Sequence, residues 1–130
     1  MEHEELKFLI GKTVRQAEYV NKINLSSADG FTYHSFSTDG QSEDDKLSAV
    51  SSSLTSLSNA ATSQLMNTEL ISTVIESADG NMVLLKTRYR GKDAVLCFIS
   101  GPQLIVGKAR YYAKKLAEAI STIPADQSAV

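Results

Sequence analysis

Several things that would assign a chemistry are missing from this sequence. There is one cysteine, Cys97, which excludes an intramolecular disulfide and a thiolate zinc site. The formal net charge is −2, with 13 basic and 15 acidic residues, so there is no electrostatic footprint for nucleic acid. No G-x-x-x-x-G-K-[ST] loop is present to cradle nucleotide phosphates, and no nucleophile elbow to raise a serine. The first residues, MEHEELKFLIGK, lack the basic and apolar segments of a signal peptide. The longest stretch without charge is too rich in serine to cross a membrane. These absences point to a cytoplasmic protein with no membrane insertion, no nucleic-acid partner, no cofactor and no catalytic residue. At 130 residues with 42% apolar content, the chain is long enough to bury a core of its own.

The most informative absence is local. Between Leu47 and Thr68 there is no Asp, Glu, Lys or Arg. The segment Ser42 to Asn67 nevertheless has helical periodicity, with Leu47, Val50, Leu54, Leu57, Ala61 and Leu65 at steps of three and four. Ser42 is a suitable N-cap, and Glu43, Asp44 and Asp45 complement the dipole of the first turn. A helix on a protein surface normally shows charge to water. Here the face opposite the apolar stripe holds Ala49, Ser52, Ser53, Ser56, Asn59, Ala60 and Ser63. Two readings fit: a core helix with a solvated serine face, or a helix whose stripe seals a sheet and whose uncharged back is covered by a partner. The second is preferred, because serine is a modest helix former and covering small side chains costs little conformational entropy.

Around this helix the chain alternates in a regular way. Glu4 to Gln16 reads as a first helix with Leu6, Leu9, Ile10, Thr13 and Val14 on one face. Tyr19 to Ser27 and Phe31 to Ser37 read as strands joined by an Asp29-Gly30 turn, for which a type I′ hairpin is the expectation. Their polarity suggests a sheet edge or a thinly covered region. Glu69 to Ser77, Met82 to Tyr89 and Ala94 to Ser100 read as three further strands. The last of these, AVLCFIS, is apolar on both faces and belongs in the middle of a sheet. Gly101-Pro102 ends the sheet, and a helix from about Gln103 to Ile120 follows, with Ile105, Ala109, Tyr112, Ala113, Leu116 and Ile120 on its apolar side. Pro124 closes it, and residues 124–130 read as a flexible tail. The repeated Ser-Ala-Asp-Gly at 27–30 and 77–80 is better explained by shared turn chemistry than by duplication.

The resulting order is α-β-β-α-β-β-β-α, an α+β sandwich of profilin or longin-like layering. Five antiparallel strands form one sheet, the central helix crosses one face, and the first and last helices cover the other. Isolated polar groups carry blander readings. Cys97 is a buried structural thiol, and His34 a strand residue rather than a ligand. Asp39, Glu43, Asp44 and Asp45 lack the spacing of a calcium loop, so no metal is expected. Lys86, Arg88, Arg90 and Lys92 form a basic ridge, either a solvated edge or a contact for an acidic partner.

Taken in order, Asp29-Gly30-Phe31, the charge-poor helix LSAVSSSLTSLSNAATSQL, Asp79-Gly80, MVLLKTRY, AVLCFIS, Gly101-Pro102 and Leu104 to Arg110 resemble the Roadblock / dynein light chain family. The likeness runs from about Glu4 to Ile120, within a single domain at 1–123. It departs from the family at Asn24, Ser26 and Ser27, where an apolar strand is usual. The resemblance implies a homodimer in which the central helix and the following strand, Leu70, Ile71, Ser72, Thr73 and Val74, meet their counterparts. It also implies a Ras-like small GTPase as partner, bound through the uncharged helix face and made to hydrolyse GTP with its own residues. The alternatives are a scaffold or motor light chain that leaves hydrolysis unchanged, and a small-ligand sensor domain.

Overall fold

The computed structural model describes residues 2–40 and 43–125. Its elements are α1 (Glu4–Ala17), β1 (Val20–Ser27), β2 (Thr32–Ser37), α2 (Asp44–Leu65), β3 (Thr73–Ser77), β4 (Gly80–Tyr89), β5 (Lys92–Ser100) and α3 (Val106–Ser121). The strands form one antiparallel sheet in the order β2-β1-β5-β4-β3. The strand that is apolar on both faces is central, as its composition requires. Ser42 and residues 126–130, where the sequence suggested a helix cap and a flexible tail, lie outside the described residues.

The two faces of the sheet are covered very differently. On one side α1 and α3 close over a large core of Ile23, Leu25, Val83, Leu85, Leu96 and Phe98. Leu6 and Ile10 enter it from α1, and Ala109, Ala113, Leu116 and Ile120 from α3. The alanines let α3 lie close to β4, where Thr87 Oγ1 donates to the Ala117 carbonyl at 2.7 Å. Ile105 departs from the expected apolar face of this helix. It stands at the N-cap and is exposed.

On the other side the apolar cluster is small: Leu84, Val95 and Cys97, with Leu47, Leu54, Met82 and Ile99 at its margin. Next to it the sheet offers the buried polar residues Asn24 and Ser26 to α2. The polar residues on β1 that depart from the family's usual apolar strand therefore lie in this layer. Asn24 donates through Nδ2 to Ser35 Oγ (3.3 Å) and accepts from Ser48 Oγ (3.2 Å). Ser48 Oγ also lies 2.5 Å from Thr32 Oγ1.

The hairpins use turns that their dipeptides did not announce. Asp29-Gly30 was expected to form a type I′ turn, but only Gly30 has positive φ (94°). Ser27 N–H reaches the Phe31 carbonyl and Gly30 N–H the Ser27 carbonyl, which is a turn followed by a left-handed residue. The turn with two left-handed central residues is instead Arg90-Gly91, at φ 52° and 82°. In the second Ser-Ala-Asp-Gly copy, Gly80 opens β4 at φ 151°, and a Cβ there would run into the Ser100 carbonyl oxygen. The same tetrapeptide thus takes two different turn geometries.

Candidate functional site: the outer face of α2 and the sheet edge

The seating of α2 decides which residues are available to a partner. The apolar stripe was expected to seal the sheet, and it does so only in part. Ser48, Ser51 and Thr55 are the buried residues of this helix. Leu47 and Leu54 are half-buried, while Val50, Leu57 and Leu65 are exposed. The reason is the sheet beneath. Small and polar side chains on β1 leave room for small hydroxyl residues and give Ser48 a partner, so the helix turns its serine and threonine row downward. Thr55 Oγ1 and Ser26 Oγ are buried there without a hydrogen bond. Each such group costs about 1–3 kcal/mol, and the seat is correspondingly weak.

Rotation of the stripe creates an apolar surface that the sequence reading did not assign. Leu57, Leu65, Met66, Ile71 and Ile75 are all exposed large hydrophobics. They lie along the C-terminal half of α2, the connection that follows it, and β3. A second row of small hydroxyl residues, Ser48-Ser51-Thr55, at the same helical spacing was the sequence signal for this phase, and the larger leucines obscured it. β3 is the outer strand of the sheet, with one side open to solvent or a partner.

The uncharged helix residues lie where they can be reached. Ala49, Ser53, Ser56 and Ser63 are exposed or half-buried, as are Ser52, Asn59 and Ala60, and none of the seven is buried. Ser52 Oγ donates to the Ala28 carbonyl at 2.6 Å, and Asn59 Oδ1 accepts from Lys86 Nζ at 3.1 Å. Of the five residues read as the dimer strand, Thr73 and Val74 begin β3, whereas Leu70, Ile71 and Ser72 precede it without strand pairing. Ile71 is exposed, and Val74 packs toward the large core.

Burial is the main cause of the pKa shifts of Cys97, His3 and His34. Burial pushes the Cys97 thiol up to about 11, and the Ser51 hydroxyl and Lys22 only partly oppose this. His3 and His34 are both lowered, first by burial and then by nearby cations, Arg90 for His3 and Lys7 for His34. His3 Nδ1 sits 2.5 Å from the Tyr89 hydroxyl, within a cluster that also holds the Tyr33 ring. Among the described residues no helix is long and apolar enough to cross a membrane.

A sheet of five antiparallel strands, with one helix on one face and two on the other, is the layering shared by profilins and Roadblock domains. A family model, "Roadblock/LC7 domain", matches residues 9–99. The chain belongs to the Roadblock/LC7 domain family. No curated protein matches the sequence. Among solved structures, the chain is similar to Myxococcus xanthus MglB (TM-score 0.80, 14% identity, covering 93% of this chain and 95% of that one). It is also similar to the gliding protein MglB of Thermus thermophilus (TM-score 0.77, 16% identity, covering 92% and 87%). An Acanthamoeba castellanii profilin, IA, aligns less closely, at TM-score 0.55 and 13% identity over 88% and 94% of the two chains. At these identities the likeness establishes the fold.

Proposed function

We propose that this protein is a non-catalytic regulator or adaptor that works as a homodimer, binds a Ras-like small GTPase and modulates its GTP hydrolysis in the cytoplasm. The observation that carries this reading is the uncharged, partly apolar outer face of α2 together with the open edge of β3. Leu57 and Leu65 on α2 and Ile75 on β3 are exposed large hydrophobics, and such residues favour a contact that covers them. The small side chains of α2 let a partner backbone come close at low entropic cost. Pairing β3 with its copy would join two sheets and cover the β3 edge of each. Membership of the Roadblock/LC7 domain family supports a small GTPase as the class of partner.

In this reading the GTPase contributes the chemistry. Cys97 is buried and protonated at neutral pH, and both histidines are held toward their neutral forms. Regulation would then come from reshaping the bound GTPase around its own nucleotide.

The test is GTP turnover by the small GTPase encoded nearest this gene, with and without the protein, comparing wild type with Ala60→Arg. The expected outcome is a change in turnover with wild type that is lost with Ala60→Arg, while circular dichroism shows the variant folded. Binding without a change in turnover would identify a scaffold. Unchanged affinity of Ala60→Arg would remove this helix face from the contact.

A further inference from the structure

β3 is shorter than the strand it accompanies. It pairs with β4 only from Gly80 to Leu84, leaving Leu85 to Tyr89 with β5 on one side and, among the described residues, no strand on the other. In an antiparallel ladder, alternate residues turn both their N–H and C=O to the same side. Counting from the Ser77–Gly80 pair that closes its two-residue turn, the even-numbered residues of β4 face the outer edge. At Lys86 and Arg88 these groups meet no other backbone hydrogen bond among the described residues. The edge lies in a cavity of about 570 Å³, walled by α2 through Thr55 and Asn59 and by α3 through Lys114 and Ala117. A smaller groove that shares Ile71, Leu85 and Lys114 continues it toward Arg110.

The walls differ in chemistry. The side chains of Lys86 and Arg88 lie toward α2, where Lys86 Nζ reaches Asn59. Those of Leu85 and Ile71 form an apolar strip toward α3. Lys114 and Arg110 make no ion pair among the described residues, whereas Asp93 is already engaged by Arg88 at 2.9 Å. Glu118 is the other acid lining the cavity. We propose that the Leu85–Tyr89 edge of β4 is a strand-addition site for an extended acidic segment of a partner protein. The segment carries acidic side chains opposite Lys86 and Arg88, alternating with β-branched apolar ones over Leu85 and Ile71. Main-chain hydrogen bonds to the edge supply affinity, and the alternation supplies selectivity. The cavity shares Ser52, Ser56 and Asn59 with the proposed GTPase-facing surface and Ile71 with the proposed dimer surface, whereas Leu57 and Leu65 lie outside it. Failure of this site and failure of the GTPase reading are told apart by separate variants, Lys86→Pro for the edge and Ala60→Arg for the helix face.

The probe is a short fluorescein-labelled peptide of alternating Glu and Val, titrated with the full chain in a polarisation assay. A second copy of the peptide carries N-methyl groups on every other residue. Saturable binding of the first, weakened about tenfold or more by N-methylation, is expected, since loss of about 1.4 kcal/mol of edge hydrogen bonding corresponds to that factor. Lys114→Glu, an exposed surface change, should weaken binding by a similar factor, and Lys86→Pro should remove the outward N–H without touching the β5 ladder. Leu57→Arg should leave peptide affinity unchanged. The proposal is overturned if neither peptide binds, or if the N-methylated peptide binds equally well, which would reduce the site to charge alone. It is also overturned if Lys86→Pro alters self-association and leaves peptide binding intact, which would assign the edge to a second copy.

Discussion

Leu57→Arg is the substitution that most directly tests a dimer built on α2 and β3. Leu57 is 68% exposed, Leu65 84%, Met66 66%, Ile71 72% and Ile75 41%. Full burial of such a side chain is worth about 1.5–3 kcal/mol. Closing the exposed fractions of all five therefore recovers roughly 5–10 kcal/mol per protomer, and twice that in a symmetric pair. This is enough to meet an association cost of about 4–15 kcal/mol. Replacing Leu57 removes its share in both copies and forces a guanidinium into the seam. The loss is about 2–4 kcal/mol before desolvation of the new charge, which weakens the dimer by about 100-fold or more. Because Leu57 points away from its own sheet, the thermal transition of the isolated chain should barely move. Sedimentation velocity over a micromolar concentration series reads the association, and calorimetry on the dilute chain reads the transition. The reasoning fails if the wild type stays monomeric up to about 100 μM, where roughly −5.5 kcal/mol of association would already show. It fails equally if Leu57→Arg dimerises as well as wild type.

Three further outcomes follow from the packing. Thr55→Val deletes a buried hydroxyl that has no hydrogen bond and keeps the side-chain shape. It should stabilise the chain by about 1 kcal/mol and raise Tm by about 3–5 °C in calorimetry; a lower Tm would show that the hydroxyl is satisfied. Gly80→Ala places a Cβ against the Ser100 carbonyl at a φ of 151°, so denaturant unfolding should show a loss of about 2–4 kcal/mol. With its pKa raised from 9.0 to about 11, Cys97 stays protonated in the folded state while the unfolded chain ionises. Stability therefore has no Cys97 dependence below pH 9 and falls as pH rises from 9 toward 11, by about 2–3 kcal/mol. That slope should be absent in Cys97→Ala, and iodoacetamide should label native wild type far more slowly than unfolded chain.

The order of elements and the antiparallel sheet were legible in the sequence because the outer strands alternate, each helix repeats at three and four residues, and glycine marks the turns. The central place of β5 was legible for a single reason: AVLCFIS is apolar on both faces and needs cover on both. The candidate site was legible in kind. The charge-free run from Leu47 to Thr68 singled out α2, and the structure leaves its small residues within reach of solvent. It was not legible which way that helix faces. Leu47, Val50, Leu54 and Leu57 form one row, and Ser48, Ser51 and Thr55 another, and only the layer beneath chooses between them.

That choice separates the two levels of information. By itself the sequence determined the elements, their order and the absence of charge on α2, since these depend on local periodicity and composition. The tertiary structure decided the phase of α2, the short span of β3 and the open edge of β4. Asn24 and Ser26 come beneath α2 only when β1 is inserted between β2 and β5, and their polarity makes a row of hydroxyls the better fit there. The leucines displaced from that seat become the outward surface. This could not be read from α2 alone, because the deciding residues lie some 24 positions earlier in the chain, at the far end of the Ser48–Asn24 hydrogen bond.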